Sequence, residues 1–236
     1  MYNNNIIMPL ILAGGFGTRL NSVLSGLPKV LAPVKGKPFI TYIFDKLLHS
    51  GFKEVILCTG FKSNLIEKTL KYNYNGLEIK YSIENKPLGT GGAIKLATKI
   101  TNSKLFLIIN GDSLCSANLI NYIGTHIEDN AVNSLLLTKV DNSSRYGSVE
   151  IDKDNNIKYF LEKSINENKL INAGVYILNR NTVINIPCEL FYSLENDLFP
   201  NLISKNFKGY FFESSFIDIG VPQSYHLANQ IKISSI

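Results

Sequence analysis

The stretch LAGGFGTRLNSVLSGLPKVLAPVKGKP, from Leu12 to Pro38, concentrates residue types that hold phosphate. Leu12 and Ala13 end a short apolar run and lead into Gly14, Gly15 and Gly17, with Thr18 and Arg19 directly behind. Bare backbone at the end of a buried strand can approach an anion closely, and successive unpaired N–H groups bind it. Arg19 and Lys29 add positive charge to the same stretch. Two familiar phosphate loops do not fit. A Walker loop requires Ser or Thr after Gly-Lys, whereas Gly36-Lys37 is followed by Pro38. A dinucleotide fingerprint opening at Gly15 requires glycine where Leu20 stands.

Other segments carry chemistry only in combination. Pro87-Leu88-Gly89-Thr90-Gly91-Gly92-Ala93 is a glycine-rich helix start, which suits either a flat base lying on backbone or a close contact between helix and strand. Gly111-Asp112 follows the apolar run Leu105 to Ile109, and a carboxylate there can be a hard oxygen ligand or the N-cap of a helix over Ala117 to His126. Asp218 lies in Phe216-Ile217-Asp218-Ile219-Gly220. Arg145-Tyr146-Gly147, Glu162-Lys163 and Asn172-Ala173-Gly174-Val175-Tyr176 complete the set, although Glu162-Lys163 alone also reads as an exposed charged pair.

The pattern A-G-G-x-G-T-R-L followed by Pro28-Lys29, with the later segments in the same order, resembles the sugar-1-phosphate nucleotidyltransferases over nearly the whole chain. The resemblance implies that a sugar 1-phosphate oxygen attacks the α-phosphorus of a nucleoside triphosphate and pyrophosphate leaves. The nucleophile is already anionic, so alignment and charge neutralisation suffice and no general base is required. By resemblance, Arg19 and the loop amides hold the leaving pyrophosphate, Lys29 holds the α- and sugar phosphates, and Asp112 and Asp218 share Mg²⁺. Leu12, Ala13, Gly14, Gly15, Gly17, Thr18, Pro87, Gly89, Thr90, Gly91 and Gly111 would line the nucleotide. Gly147, Glu162, Asn172 and Gly174 would line the sugar, with Lys163 on its phosphate. Ser164 departs from the proline that many relatives carry after the lysine.

Within that family, Tyr81-Ser82-Ile83-Glu84 leading into the glycine-rich segment resembles the branch that uses GTP and a manno-configured heptose 1-phosphate. Glu84 would face the base edge. A carboxylate only accepts hydrogen bonds, and guanine offers two adjacent donors where uracil and thymine offer one. Hexose 1-phosphate uridylyl- or thymidylyltransferases and mannose 1-phosphate guanylyltransferases share most of these motifs. A nucleotide-binding regulatory protein without turnover would be expected to lose Arg19, Lys29 or an aspartate, and all are present. A cofactor-guanylylating relative would lack the Glu-Lys and Asn-x-Gly segments.

These residues need a scaffold that gathers strand ends. Apolar patterns predict strands over Met8 to Leu12, Lys53 to Cys58, Leu77 to Ile83 and Leu105 to Ile109. Helices are expected over Phe39 to Ser50 with Gly51 as C-terminal cap, Ser63 to Leu70 with Ser63 capping, and Thr90 to Lys99. Such alternation predicts an α/β fold: a Rossmann-like, doubly wound mixed sheet in a single domain, with ligands at the carboxyl ends of strands. Ser134 to Val140, Gly147 to Ile151 and Ile157 to Leu161 read as a small mixed or antiparallel extension, and Gly174 to Leu178 and Phe207 to Phe212 as two more strands. Helical patterns cover Glu189 to Phe199 and Gln223 to Ile231. Residues 1–126 are expected to form a nucleotide-binding half and 127–236 a sugar-phosphate half.

At 236 residues with 45% hydrophobic content, the chain can bury a large core. The net charge of +5 is spread as isolated lysines, which argues against a nucleic-acid surface and for mild attraction of small anions. Arginine occurs only at Arg19, Arg145 and Arg180, making Arg19 conspicuous. Cys58, Cys115 and Cys188 are far apart beside apolar neighbours and are expected reduced and buried. His49, His126 and His226 lack metal-type spacing. With neither a signal peptide nor a membrane-length apolar run, the expected location is cytoplasmic, and a homo-oligomer stays open.

Overall fold

The computed structural model describes residues 6–140, 146–161, 169–188 and 190–231. The strands are β1 (Ile7–Leu12), β2 (Pro33–Val34), β3 (Lys37–Pro38), β4 (Glu54–Thr59), β5 (Asn73–Tyr74), β6 (Leu77–Ile83) and β7 (Leu105–Asn110). They continue as β8 (Ser113–Cys115), β9 (Asn133–Lys139), β10 (Ser148–Ile151), β11 (Ile157–Leu161), β12 (Leu170–Asn179), β13 (Phe207–Phe211) and β14 (Phe216–Asp218). Among the described residues, ten strands form one sheet ordered β11-β10-β12-β7-β1-β4-β6-β5, with β9 beside β12 and β13 beside β9. The strands β7, β1, β4 and β6 run parallel at its centre, and β12 joins antiparallel to β7.

The apolar sequence of β1 is buried along nearly its whole length, as a strand covered on both faces must be. Alternate side chains serve two cores. Ile7 and Ile11 pack with Phe44, Leu47 and Tyr122, whereas Met8 and Leu10 pack with Ile94, Tyr176 and Phe199. Helices Ile40–His49, Ser63–Leu70 and Leu119–Glu128 contribute to the first core, and Gly89–Ala97 to the second. Phe44 and Leu47 are fully buried, and each contributes about 1.5–3 kcal/mol. The expected doubly wound mixed α/β sheet with an antiparallel extension is therefore present.

Several local expectations are corrected. Ser63 lies inside its helix, and the N-cap is Lys62 in the left-handed region with no side-chain cap bond. Asn118, not Asp112, caps Leu119–Glu128 by accepting from the Ile120 and Asn121 N–H groups, so Asp112 has no capping role there. In place of a helix over Glu189 to Phe199, a short π-turn (Leu194–Leu198) and one helical turn (Phe199–Leu202) follow a non-helical segment. That segment cannot coil because Tyr192 bonds to another element through both N–H and C=O. Cys58 and Cys115 are buried and free as expected, but Cys188 is exposed, one of a run of exposed positions after Ile186. His126 is a core residue bonded to the Ser134 hydroxyl. Among the described residues no helix is long and apolar enough to cross a membrane.

Candidate active site

The signature loop leaves the end of β1 between two neighbouring strand ends. Ala13 N–H donates to Cys58 C=O (2.8 Å), and Gly111 N–H donates to Leu12 C=O (3.0 Å). A side chain at Gly111 would stand 2.5 Å from Leu12 O, so glycine lets β1 and the turn after β7 converge. Gly17 turns the loop at φ +61°. Beneath it lies a cavity of about 330 Å³ lined by Leu12, Ala13, Gly14, Gly15, Gly17, Glu84, Pro87, Gly89, Thr90 and Gly111, with Phe16 and Phe191 at exposed positions. Thr18 is exposed and Gly91 is buried, and neither lines this cavity.

A second, larger cavity of about 1040 Å³ adjoins the first through Lys29, Asn110 and Asp112, which line both. Arg19, Gly147, Asn172, Gly174 and Asp218 line the second cavity. The Lys29 ammonium donates to Asp112 Oδ2 at 2.8 Å, so a cation–carboxylate pair stands at the junction. Asp218 arrives through the pairing of β14 with β8, which sets it opposite Ser113, and Ile219 N–H ties the strand end to Asp112 C=O at 2.8 Å. Gly220 N–H donates to Asp218 Oδ1 (2.7 Å), and the Tyr146 hydroxyl donates to Oδ2. On the far wall, Asn172 Oδ1 accepts from Gly174 N–H at 2.8 Å, and its amide, like that of Asn110, donates to the Tyr176 hydroxyl. Gly174 adopts φ +72° at the break in the β9–β12 register. Glu162, Lys163 and Arg145 lie outside the described residues.

Glu84 sits at the base of the first cavity, where its Oε2 accepts from Leu88 N–H at 3.1 Å. Burial pushes its carboxyl above the ordinary glutamate value, partly opposed by that backbone bond. Among the described residues no three His, Cys, Asp or Glu side chains cluster around a common point, and Asp112 and Asp218 both line the second cavity. Carboxylate oxygens are the donor type that suits Mg²⁺, which takes one or two carboxylates and fills its remaining positions with phosphate oxygens and water.

The structure adds Phe16, Asn110, Phe191, Glu195 and Asn196 to the cavity walls. Asn110 directly precedes Gly111-Asp112, a position that signals the site in the sequence. Phe191, Glu195 and Asn196 carry no such signal, because their stretch reads as a helix.

A Rossmann-like sheet with two cavities meeting over a lysine–aspartate pair is the architecture of a nucleotide-transferring enzyme. The chain matches the Nucleotidyl transferase family over residues 8–234 and belongs to it. It is 42% identical to the D-glycero-alpha-D-manno-heptose 1-phosphate guanylyltransferase of Aneurinibacillus thermoaerophilus, over 94% of this chain and 96% of that protein. The Campylobacter jejuni enzyme of the same name is 36% identical, over 92% of this chain and 96% of its own length. The crystal structure of HddC from Yersinia pseudotuberculosis complexed with GMP-PN superposes with a TM-score of 0.85 at 35% identity, covering 94% of this chain and 97% of that one.

Proposed function

We propose that this chain transfers the guanylyl group of GTP to a D-glycero-α-D-manno-heptose 1-phosphate, giving the GDP-sugar and pyrophosphate. The observation that carries the reading is the meeting of two cavities at Lys29 and Asp112. Each cavity takes one polyanion, and the reacting phosphorus belongs where the two join. The heptose phosphate oxygen forms a bond to the α-phosphorus while the bond to the bridging oxygen of pyrophosphate breaks. The electron pair leaves with pyrophosphate and no proton moves, which accords with a junction that lacks histidine. Lys29 neutralises charge on the transferred phosphoryl and the loop amides hold the leaving group, whereas Arg19, which lines the second cavity, is assigned to the leaving group by the family resemblance alone. Asp112 and Asp218 would hold Mg²⁺, which when bound supplies neutralisation of the phosphate oxygens. Glu162 and Lys163 are assigned to the sugar and its phosphate by the family resemblance alone.

The names of the relatives support guanine and heptose, and Glu84 in the first cavity supports guanine independently. Free, buried Cys58 and Cys115 suit a reducing, cytoplasmic setting, where the GDP-sugar would serve as a donor for surface polysaccharide synthesis. The test is pyrophosphate release across GTP, UTP and dTTP paired with heptose, mannose and glucose 1-phosphates. The highest kcat/KM is expected for GTP with the manno-configured heptose. A preference for UTP or dTTP would overturn the guanine assignment, and no turnover with any pair would overturn the reaction.

A further inference from the structure

The glycine-rich helix and the segment from Leu190 to Asp197 are built as one piece. Tyr192 N–H donates to Leu88 C=O (2.8 Å), and Tyr192 C=O accepts from Gly91 N–H (2.8 Å) and Gly92 N–H (3.2 Å). The glycines permit this approach. A side chain at Gly89 would stand 2.6 Å from Tyr192 O, and one at Gly91 would stand 2.9 Å from the Tyr192 ring. Thr90 completes the seam, because its hydroxyl accepts from Leu194 N–H at 2.8 Å and donates to Glu195 Oε2 at 3.1 Å.

This joined segment reaches both cavities, with Phe191 lining the first and Glu195 and Asn196 the second. Glu195 Oε2 also accepts from the Ser193 hydroxyl at 3.1 Å, so two donors fix the carboxylate through one oxygen. Oε1 receives no hydrogen bond from the described residues, and the side chain is on the sugar-side wall. A fixed carboxylate with a spare oxygen is an acceptor for a sugar hydroxyl.

We propose that Glu195 is a specificity-determining residue that accepts a hydrogen bond from a hydroxyl of the sugar 1-phosphate, and that Thr90 positions it. The inference rests on the nucleotidyltransferase reading above. It also ties the sugar site to the helix start that borders the nucleotide, so Thr90 acts on the sugar through Glu195.

The experiment measures GTP-dependent pyrophosphate release with mannose 1-phosphate and its monodeoxy analogues, using wild type, Glu195→Gln, Glu195→Ala and Thr90→Val. Wild type is expected to disfavour one deoxy analogue by about ten- to hundredfold in kcat/KM, as for loss of a hydrogen bond to a charged acceptor. Glu195→Ala should abolish that discrimination and raise KM for mannose 1-phosphate, with KM for GTP unchanged. Glu195→Gln, which keeps an acceptor and the side-chain volume, should retain part of it, and Thr90→Val should weaken it in the same direction. Full discrimination in Glu195→Ala, or equal changes in both KM values, would overturn the assignment while leaving the reaction standing. A wild type inactive with every sugar phosphate and nucleotide would overturn both.

Discussion

Replacing Glu84 by glutamine tests the base assignment at a single carboxylate whose freedom is restricted by its surroundings. Its Oε2 is bonded to Leu88 N–H at 3.1 Å, and Oε1 lies 2.6 Å from where a Gly60 side chain would begin and 3.2 Å from one at Gly14. The group therefore packs against two bare backbones at the cavity. Guanine presents N1–H and a 2-amino group side by side, and a carboxylate accepts from both, whereas a glutamine amide sets its own donor against one of them. Hydrogen bonds to a charged group contribute about 1.5–3 kcal/mol, so Glu84→Gln should lower kcat/KM for GTP by about ten- to hundredfold. UTP, with a single N–H between two carbonyls, should lose much less. A second signature follows from burial, which raises the Glu84 pKa. Acceptance from guanine needs the ionised form, so kcat/KM for GTP should fall on the acid side at a higher pH than an ordinary glutamate would give. The glutamine variant should lack that limb. The assay is GTP against UTP in competition, with pyrophosphate release followed as a function of pH. A variant with unchanged GTP-over-UTP selectivity would refute the reasoning, whatever its absolute rate.

Three further outcomes are expected. Asp112→Asn and Asp218→Asn should each reduce turnover by roughly two to three orders of magnitude, and the double variant little more, because both would disable the one proposed Mg²⁺ site. Additive losses, or full wild-type activity in excess EDTA, would remove the metal from the mechanism. Gly174→Ala would place a methyl 2.6 Å from the Ser113 hydroxyl and 3.0 Å from the Asn110 amide at φ +72°. It should lower stability by about 1–3 kcal/mol and raise KM for the sugar phosphate, and an unchanged melting temperature would contradict the strain. Burial holds the His126 pKa down to about 4 from an ordinary 6.5, against an opposing pull from Asp129. Protons then favour the unfolded chain between those values, so lowering pH from 7 to 5 should cost about 2 kcal/mol through this residue. Urea midpoints at both pH values should converge for His126→Gln, and an identical pH dependence in both proteins would exclude the effect.

What the sequence reveals and what it hides divide along the origin of each hydrogen bond. Strands β1, β4 and β7 are legible because both faces are covered and their residues are accordingly apolar, and β6 because buried Leu77 and Ile79 alternate with polar Glu78 and Lys80. The loop after β1 was legible because its glycines answer to a tight local turn and to strand ends in contact. Nothing local announces that β14 pairs with β8, yet that pairing is what sets Asp218 beside Ser113 and within one residue of Asp112. The two aspartates could be connected in advance only through the family pattern. The antiparallel entry of β12 against β7 is equally silent, although β12 brings Asn172 and Gly174 to the cavity that Asp112 also lines.

The segment after Cys188 shows the limit most clearly. Its apolar spacing fits a helix, and the glycines that open Gly89–Ala97 fit a helix start lying against a base, so each reading is locally sound. They exclude one another in the folded chain, because the Gly91 and Gly92 N–H groups are spent on Tyr192 C=O and Tyr192 N–H on Leu88 C=O. A backbone group that bonds across elements is unavailable to a helix of its own. The glycines at 91 and 92 are therefore explained by the neighbour they admit: a side chain at Gly91 would meet the Tyr192 ring, and one at Gly92 would lie 3.1 Å from Leu190 O. Only Gly89, Thr90 and Ala93 of that helix remain to border the nucleotide cavity. The same seam that removes Gly91 from the nucleotide carries Glu195 to the sugar, so the chemistry gained and the chemistry lost come from one packing event that no single stretch encodes.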